Sequence, residues 1–141
     1  MFKITQKVCD EVIVVDSGST DETVDIAKRL GAIIYHQDYL GDGPQKAFAV
    51  AYAKNDWILS LDADERLNED AINTIQSLSL NDAQIAYSFY RKNYVGNHWI
   101  KAAGFYPDTV VRLYNRITSG YLNKKPIHPS SPPLFATPKH I

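Results

Sequence analysis

The sequence has little of several features that mark specialised classes of protein. Cys9 is the one cysteine among 141 residues, which excludes a disulfide within the chain and fits a reducing compartment. No run approaches the roughly 20 apolar residues of a membrane span, and the first residues lack the apolar core of a signal peptide. A net charge of −1 provides no basic surface for nucleic acid. These absences predict a soluble cytoplasmic domain that binds no nucleic acid.

What is present is the composition of one globular domain. Hydrophobic residues make up 45% and charged residues 22% of the chain, so a substantial core is possible. Strand and helix patterns alternate with short connections, which favours an α/β fold with a right-handed, mostly parallel sheet. The predicted strands are 11–16, 32–35, 57–61, 85–94, 98–100 and 109–114. The predicted helices are 20–30, 45–54 and 68–80, and Asn68 is the expected N-cap of the third.

The most informative stretch is the apolar run 57–61, which leads directly into Asp62 and Asp64. The run is typical of a buried strand of a parallel sheet. Ligands of open α/β sheets collect beyond the carboxyl ends of the strands. If the extended conformation continues, alternation places the side chains of Asp62 and Asp64 on one side. Two carboxylates there suit Mg²⁺ or Mn²⁺, which usually keep substrate phosphates among their ligands.

Other interpretations of this pair of carboxylates have to be weighed. Acidic residues often follow strands because loops are solvated, and an Asp-x-Asp pattern alone is weak. A calcium-binding EF-hand loop starting at Asp62 is excluded, because Arg66 and Leu67 stand where it needs an oxygen ligand and a glycine. A phosphatase with an aspartyl nucleophile stays open, although no neighbouring motif supports it.

Two further segments are candidates for contact with phosphate. The first predicted strand ends at Asp16 and is followed by a Ser/Gly turn, in which Ser19 and Glu22 are spaced as a capping box for the next helix. Such a turn before a helix can bind phosphate, but many βα turns bind nothing. Gln45 and Lys46 lie in the first turn of the second helix, where a cation opposes the helix dipole. A bound phosphate would relieve that cost, and an unimportant exposed lysine is equally compatible.

The chain changes character after residue 84, where aromatic residues become frequent. The basic residues interspersed among them are Arg91, Lys92, Arg112 and Arg116. Together they could form a wall for a sugar or a phosphate, but packing on a sheet face is the more favoured explanation for most of the aromatic residues. From residue 123 onward the sequence is rich in proline and has no periodicity, which predicts an irregular tail over 123–141.

Three segments, 14–21, 43–46 and 59–66, together resemble glycosyltransferase family 2, the inverting enzymes with a GT-A nucleotide-sugar-binding fold. Segments 90–94, 104–108 and 111–114 extend the similarity, which covers about 8–117. The resemblance is strongest to the bacterial branch that adds glucose to the inner core of lipopolysaccharide. It implies a Rossmann-like three-layer sandwich with a mostly parallel sheet.

The resemblance also implies roles for individual residues. Asp16 would contact the uracil or ribose of a UDP-sugar, and Gln45 and Lys46 would lie along the diphosphate. Asp62 would face the ribose and the metal, and Asp64 would bind the Mg²⁺ or Mn²⁺ that bridges the phosphates. The acceptor would be a lipopolysaccharide core or another glycan. A lipid-anchored acceptor would imply peripheral contact with the inner face of the inner membrane.

The chain also departs from the family pattern. It begins after the family's usual first strand, so residues 1–122 are expected to form a partial GT-A domain without that strand. No catalytic base is identified, because the local match at His128 lacks the acidic partner that relatives carry. The alternative is therefore a truncated relative that binds a nucleotide sugar without turnover.

Overall fold

The computed structural model describes residues 7–96, 98–101 and 108–118, together with the backbone of 135–139. The strands are β1 (Ile13–Asp16), β2 (Ile33–His36), β3 (Trp57–Leu59), β4 (Arg66–Leu67), β5 (Tyr87–Val95), β6 (His98–Trp99), β7 (Asp108–Asn115) and β8 (Phe135–Lys139). The helices are α1 (Thr23–Arg29), α2 (Asp42–Ala51) and α3 (Glu69–Ser77).

The strands form two sheets. β1 and β2 pair in parallel, with Val14 opposite Ile34, and α1 provides the crossover between them. The second sheet has the order β3-β7-β5-β8-β4, and β6 pairs with β5 beside this path. Its pairings are antiparallel except for β5 with β8. The protein is therefore an α/β fold in which antiparallel pairing is the more frequent.

The prediction of a mostly parallel sheet is wrong. β3, which was expected in a parallel sheet, pairs antiparallel with β7, and Ile58 lies opposite Tyr114. Because an apolar run of this length fits any buried strand, its pattern contains no information on the direction of its partner. The strand also ends at Leu59 rather than at Leu61, and this shorter strand changes the geometry of the carboxylates that follow it.

The helices α1 and α2 start differently from the prediction, whereas the start of α3 agrees with it. The capping box predicted for α1 is wrong, because Glu22 stands at the N-cap without a side-chain hydrogen bond and the Ser19 amide donates to Asp16. α2 begins at Asp42, earlier than predicted, after Gly41 with a φ of 96°. The predicted cap of α3 is confirmed, since the Asn68 side chain accepts the Ala71 amide at 2.8 Å.

The main core lies between α3 and the second sheet. Its buried residues are Leu67, Ala71, Ile72, Ile75, Phe89 and Leu113. The first sheet is covered less completely, because all of β1 is only partly buried and α2 contains no fully buried residue. Parallel strands are usually covered on both faces. The first sheet is therefore the more exposed part of the described structure.

The end of the chain is only partly described. Residues 135–139 form β8, which pairs parallel with β5 and antiparallel with β4, so this portion of the predicted irregular tail is a strand. His128 and the motif residues 104–107 lie outside the described residues. Among the helices that are described, none has the length and apolar character needed to cross a bilayer.

Candidate functional site

Asp16, at the end of β1, organises the turn that follows it. Its carboxylate accepts the amide hydrogens of Gly18 at 3.0 Å and Ser19 at 3.2 Å. Gly18 has a φ of 101°, a conformation that disfavours other residues. The hydrogen bond from the Ser19 side chain, helped by the two amides, lowers the pKa of Asp16. The carboxylate is therefore held ionised at the carboxyl end of β1.

Gln45, in the first turn of α2, joins that helix to the turn after β1. Its amide nitrogen donates to Ser17 Oγ at 2.9 Å and to the carbonyl of Gln37 at 3.2 Å. Its amide oxygen accepts the backbone N–H of Leu40 at 3.2 Å. The side chain therefore connects the start of α2 with the loops that follow both strands of the first sheet.

The next residue, Lys46, joins α2 to the second sheet. Its ammonium forms an ion pair with Oδ1 of Asp62, while Arg112 Nη2 donates to Oδ2 of Asp62 at 2.8 Å. Because α2 begins at Asp42, Lys46 lies beyond the first turn, so the prediction that it occupies the first turn and opposes the helix dipole there is wrong. Its charge is compensated by a carboxylate. Since Gln45 contacts Ser17, the three sequence segments singled out above meet near the start of α2.

Asp62 and Asp64 do not continue β3. The amide of Ser60 still donates to the backbone carbonyl of Arg112 at 2.7 Å. The chain then turns, and the Glu65 amide donates to the Asp62 carbonyl at 3.0 Å. The extended conformation on which the prediction was based is therefore not present at 62–64, and the placement of both carboxylates on one side stays a prediction. Asp64 is exposed and forms no ion pair or hydrogen bond with the residues described here.

Glu65 was not identified as a functional residue from the sequence, because it looked like part of a solvated charged loop. Its side chain is completely buried. Oε2 accepts the backbone N–H of Asp62 at 3.1 Å, and Oε1 accepts Nη2 of Arg112. The signal that could have revealed it is Arg112 itself, a charge inside the apolar run of β7, because a buried charge requires a partner.

Further basic residues of the predicted wall also face carboxylates. Arg91 donates from Nε to Asp108 at 2.8 Å, and its Nη1 lies 3.6 Å from Oε1 of Glu65. Burial alone would lower the pKa of Arg91, but the hydrogen bond and charge of Asp108 outweigh it and raise the pKa. Asn93 also donates to Asp108, at 3.1 Å. The site is thus bordered by a chain of alternating cations and anions.

Packing explains part of the aromatic content, as expected. Phe89 and Tyr114 are buried, and the rings of Trp57 and Tyr87 are tilted against each other with centroids 6.0 Å apart. These rings lie in strands β3, β5 and β7, which are adjacent in the second sheet. For these residues the sheet-packing interpretation is supported by the contacts.

The electrostatics of Asp62 decide what it can bind. Burial alone would raise its pKa, but the hydrogen bond from Lys46 and the charge of Arg112 prevail and lower it. The described part of the chain contains no group of three His, Cys, Asp or Glu side chains suited to a metal ion. Magnesium can be held by one or two carboxylates when substrate phosphates complete its coordination. Asp64 fits such a role as it stands, whereas Asp62 fits it if Lys46 exchanges its carboxylate partner for a phosphate.

Comparisons with known proteins agree with the motifs. The family model described as glycosyl transferase family 2 matches residues 7–134. An uncharacterized glycosyltransferase of Rickettsia typhi is 38% identical over 123 residues, covering 84% of this chain and 41% of its own length. The chain therefore spans about two fifths of that relative.

More distant relatives have more specific names. A glucosyl-3-phosphoglycerate synthase of Petrotoga mobilis is 33% identical over 109 residues, covering 67% of this chain and 33% of the relative. A lipopolysaccharide core biosynthesis glycosyltransferase of Rhizobium meliloti is 26% identical over 131 residues, covering 85% and 47% respectively. The extent of the family match, together with the convergence of the motifs at α2, shows that the chain belongs to glycosyltransferase family 2.

Proposed function

We propose that this chain supplies the donor-binding part of a metal-dependent, inverting glycosyltransferase. The reaction would move a sugar, with glucose as the first candidate, from a UDP-sugar to a lipopolysaccharide core or another glycan. The observation that supports the proposal best is the pair of contacts made by adjacent residues of α2, Gln45 with Ser17 and Lys46 with Asp62. They bring the ends of β1 and β3 to one helix N-terminus.

Each residue of this group has a role in the proposal. Asp16 would accept hydrogen bonds from the uracil or ribose, and Gln45 would donate an N–H to the diphosphate. Lys46 would leave Asp62 and lie against the phosphate oxygens, where negative charge develops as UDP departs. Asp62 would then face the ribose and the cation, and Asp64 would ligate the cation. Bound Mg²⁺ or Mn²⁺ would supply Lewis-acid neutralisation of the leaving group.

The inverting course of the reaction is what the family resemblance implies. The acceptor hydroxyl would attack the anomeric carbon from the face opposite the departing UDP, so that the new bond has inverted configuration. Deprotonation of that hydroxyl requires a general base within hydrogen-bonding distance.

The relatives suggest a donor sugar and an acceptor. One relative is named for glucosyl transfer and another for lipopolysaccharide core biosynthesis. We propose UDP-glucose as the first donor to test, and a lipid-linked core glycan as the first acceptor. Such an acceptor would bring the protein into peripheral contact with the inner face of the inner membrane.

A comparison of the wild type with Asp64→Ala tests the proposal. Transfer or slow hydrolysis of UDP-glucose is measured with Mn²⁺, and Asp70→Ala, which removes an exposed carboxylate in the first turn of α3, is the matched control. Loss of activity in Asp64→Ala alone supports the proposal, and equal activity in all three proteins refutes it. Release of phosphate from a simple phosphoester without any need for UDP would support the phosphatase interpretation instead.

A second candidate function is binding of a nucleotide sugar without turnover. It is favoured by the pairing of both Asp62 oxygens with cations of the protein itself, which leaves Asp64 as the one carboxylate of the pair without such a partner among the described residues. Calorimetry with UDP and Mn²⁺, followed by the transfer assay, separates the two candidates. Binding without transfer selects the second.

A further inference from the structure

We propose that Glu65 is a positioning residue for the acidic turn, by which we mean residues 62–65. Glu65 fixes the backbone of this turn and determines how strongly Arg112 neutralises the carboxylate of Asp62. This inference rests on the proposed function, because its consequence is the affinity of the turn for a divalent cation. None of the contacts described places Glu65 itself at the metal or the substrate.

The first step of the argument concerns the backbone. The Glu65 amide donates to the Asp62 carbonyl at 3.0 Å, and the Asp62 amide donates to Oε2 of Glu65 at 3.1 Å. The two residues therefore close the turn with reciprocal hydrogen bonds. Ala63 and Asp64 lie between them, so the direction of the Asp64 side chain depends on this closure.

The second step concerns burial. The Glu65 side chain is 0% exposed and that of Arg112 is 7% exposed. Removing one member of a buried ion pair leaves the other charge uncompensated in a poorly solvated site. Arg91 lies 3.6 Å from the same oxygen of Glu65, so one carboxylate compensates cations from both β5 and β7.

The third step concerns how Arg112 is shared. The same nitrogen, Nη2, contacts Oε1 of Glu65 and lies 2.8 Å from Oδ2 of Asp62. The carboxylate of Glu65 compensates part of the charge of Arg112 and so leaves Asp62 with negative charge for a second cation. With a neutral amide in its place, Arg112 would neutralise Asp62 more fully. A divalent cation would then bind more weakly, although both aspartates would still be present.

The first experiment compares Glu65→Gln with the wild type, with Glu69→Gln as the matched exposed control. The Mn²⁺ concentration that gives half-maximal UDP binding is measured for each protein. Loss of a residue that orients metal ligands typically costs 10- to 100-fold in metal affinity, so we expect an increase of about tenfold or more in Glu65→Gln. Excess Mn²⁺ should restore UDP binding to the wild-type plateau. A residue needed only for folding would lower the plateau without shifting the half-saturating concentration, and an unshifted value overturns the proposal.

The second experiment needs neither metal nor nucleotide. Amide hydrogen exchange should show Asp62 protected in the wild type despite its position in a turn, and exchange should accelerate about tenfold or more in Glu65→Gln. An unprotected Asp62 amide in the wild type overturns the proposal even if the variant does not fold. If the wild type binds no UDP with Mn²⁺, the proposed function fails, while the exchange data still decide whether Glu65 fixes the turn.

Discussion

At the scale of single residues, Asp62 receives a cation on each of its carboxylate oxygens. The side chain is 36% exposed, so solvent screens these interactions and their net contribution to stability is small. Their larger effect is on which cations the carboxylate of Asp62 can bind. The carboxylate remains ionised to lower pH than an isolated aspartate, but it can accept a further cation only if Lys46 or Arg112 gives way.

We expect the contribution of Asp62 to stability to depend on pH in a defined direction. Its pKa is lowered in the folded state from an ordinary 3.8, so its contribution is present above that value and is lost as the pH falls through the folded-state pKa. Asp62→Asn should therefore lower the free energy of unfolding by up to about 1 kcal/mol at neutral pH, and by much less at an acid pH below the folded-state pKa. Urea unfolding at both pH values measures this, and an equal loss at both would contradict it.

Asp16, Gln45 and Lys46 became candidates through the family resemblance, and their proposed roles in donor binding stay predictions. Glu65 could not be singled out in this way. Glu65 acts through Arg112, which is 47 positions away. Its neighbours in the sequence are charged, so nothing nearby distinguishes a buried glutamate from a solvated one.

At the scale of elements, the N-terminal ends of α2 and α3 differ in how they are held. α3 is closed by its own cap, Asn68. α2 has no side-chain cap at Gly41, and its N-terminal half is held by the contacts of Gln45 and Lys46 with other elements. Of these two helices, the one without a side-chain cap is placed at the candidate site.

The cap of α3 gives a prediction of stability. Asn68→Ala should destabilise the protein by about 1 kcal/mol, within a range of about 0.5–2 kcal/mol, because the Ala71 amide loses its acceptor. Asn68→Ser should retain most of the stability, because serine caps about as well as asparagine. Thermal and urea unfolding of both variants provide the measurement. Equal losses in the two would mean that the cap is not the cause.

The same contrast explains which elements the sequence could predict. The cap of α3 was predicted correctly because all its determinants lie within four residues. The capping box of α1 was predicted wrongly because the Ser19 amide is used by Asp16 instead. The orientation of β3 was also wrong, since its partner β7 is more than 45 positions away and an apolar strand pairs equally well in either direction.

At the scale of the whole molecule, the two sheets differ in how well they are buried. The core lies under α3 on the second sheet, whereas the residues of β1 are all partly exposed. No strand of one sheet pairs with a strand of the other in the portion of the chain that is described. Their connection therefore depends on side chains and loops, among them Glu11, which accepts the Lys54 amide at 2.7 Å.

We expect the first sheet to open at lower free energy than the second. Regions with fewer buried apolar contacts unfold locally before the whole protein does. Native-state hydrogen exchange should therefore show weaker protection for the amides of β1 and β2 than for those of β5 and β7, by about 1 kcal/mol or more of opening free energy. Uniform protection across both sheets would contradict this expectation.

Donor binding should change that difference in stability. A ligand that binds only the folded protein adds about 2.7 kcal/mol at one hundred times its dissociation constant. We expect UDP with Mn²⁺ to raise the melting temperature and to increase the protection of β1 and β2 more than that of β5. The wild type is compared with Asp64→Ala, which should lose most of the effect. An equal rise in both would argue against the proposed contact with the cation.

The ion pair of Lys46 has a consequence for donor binding in the proposed reaction. The ammonium of Lys46 pairs with Asp62 and so joins α2 to the turn after β3. If the diphosphate of the donor binds that ammonium, the ion pair between Lys46 and Asp62 is broken. The bound donor would then connect α2 with the turn after β3 in its place. Departure of UDP would leave the two sheets without this connection until Lys46 pairs with Asp62 again. The release of UDP and the re-formation of this ion pair would then occur at the same rate.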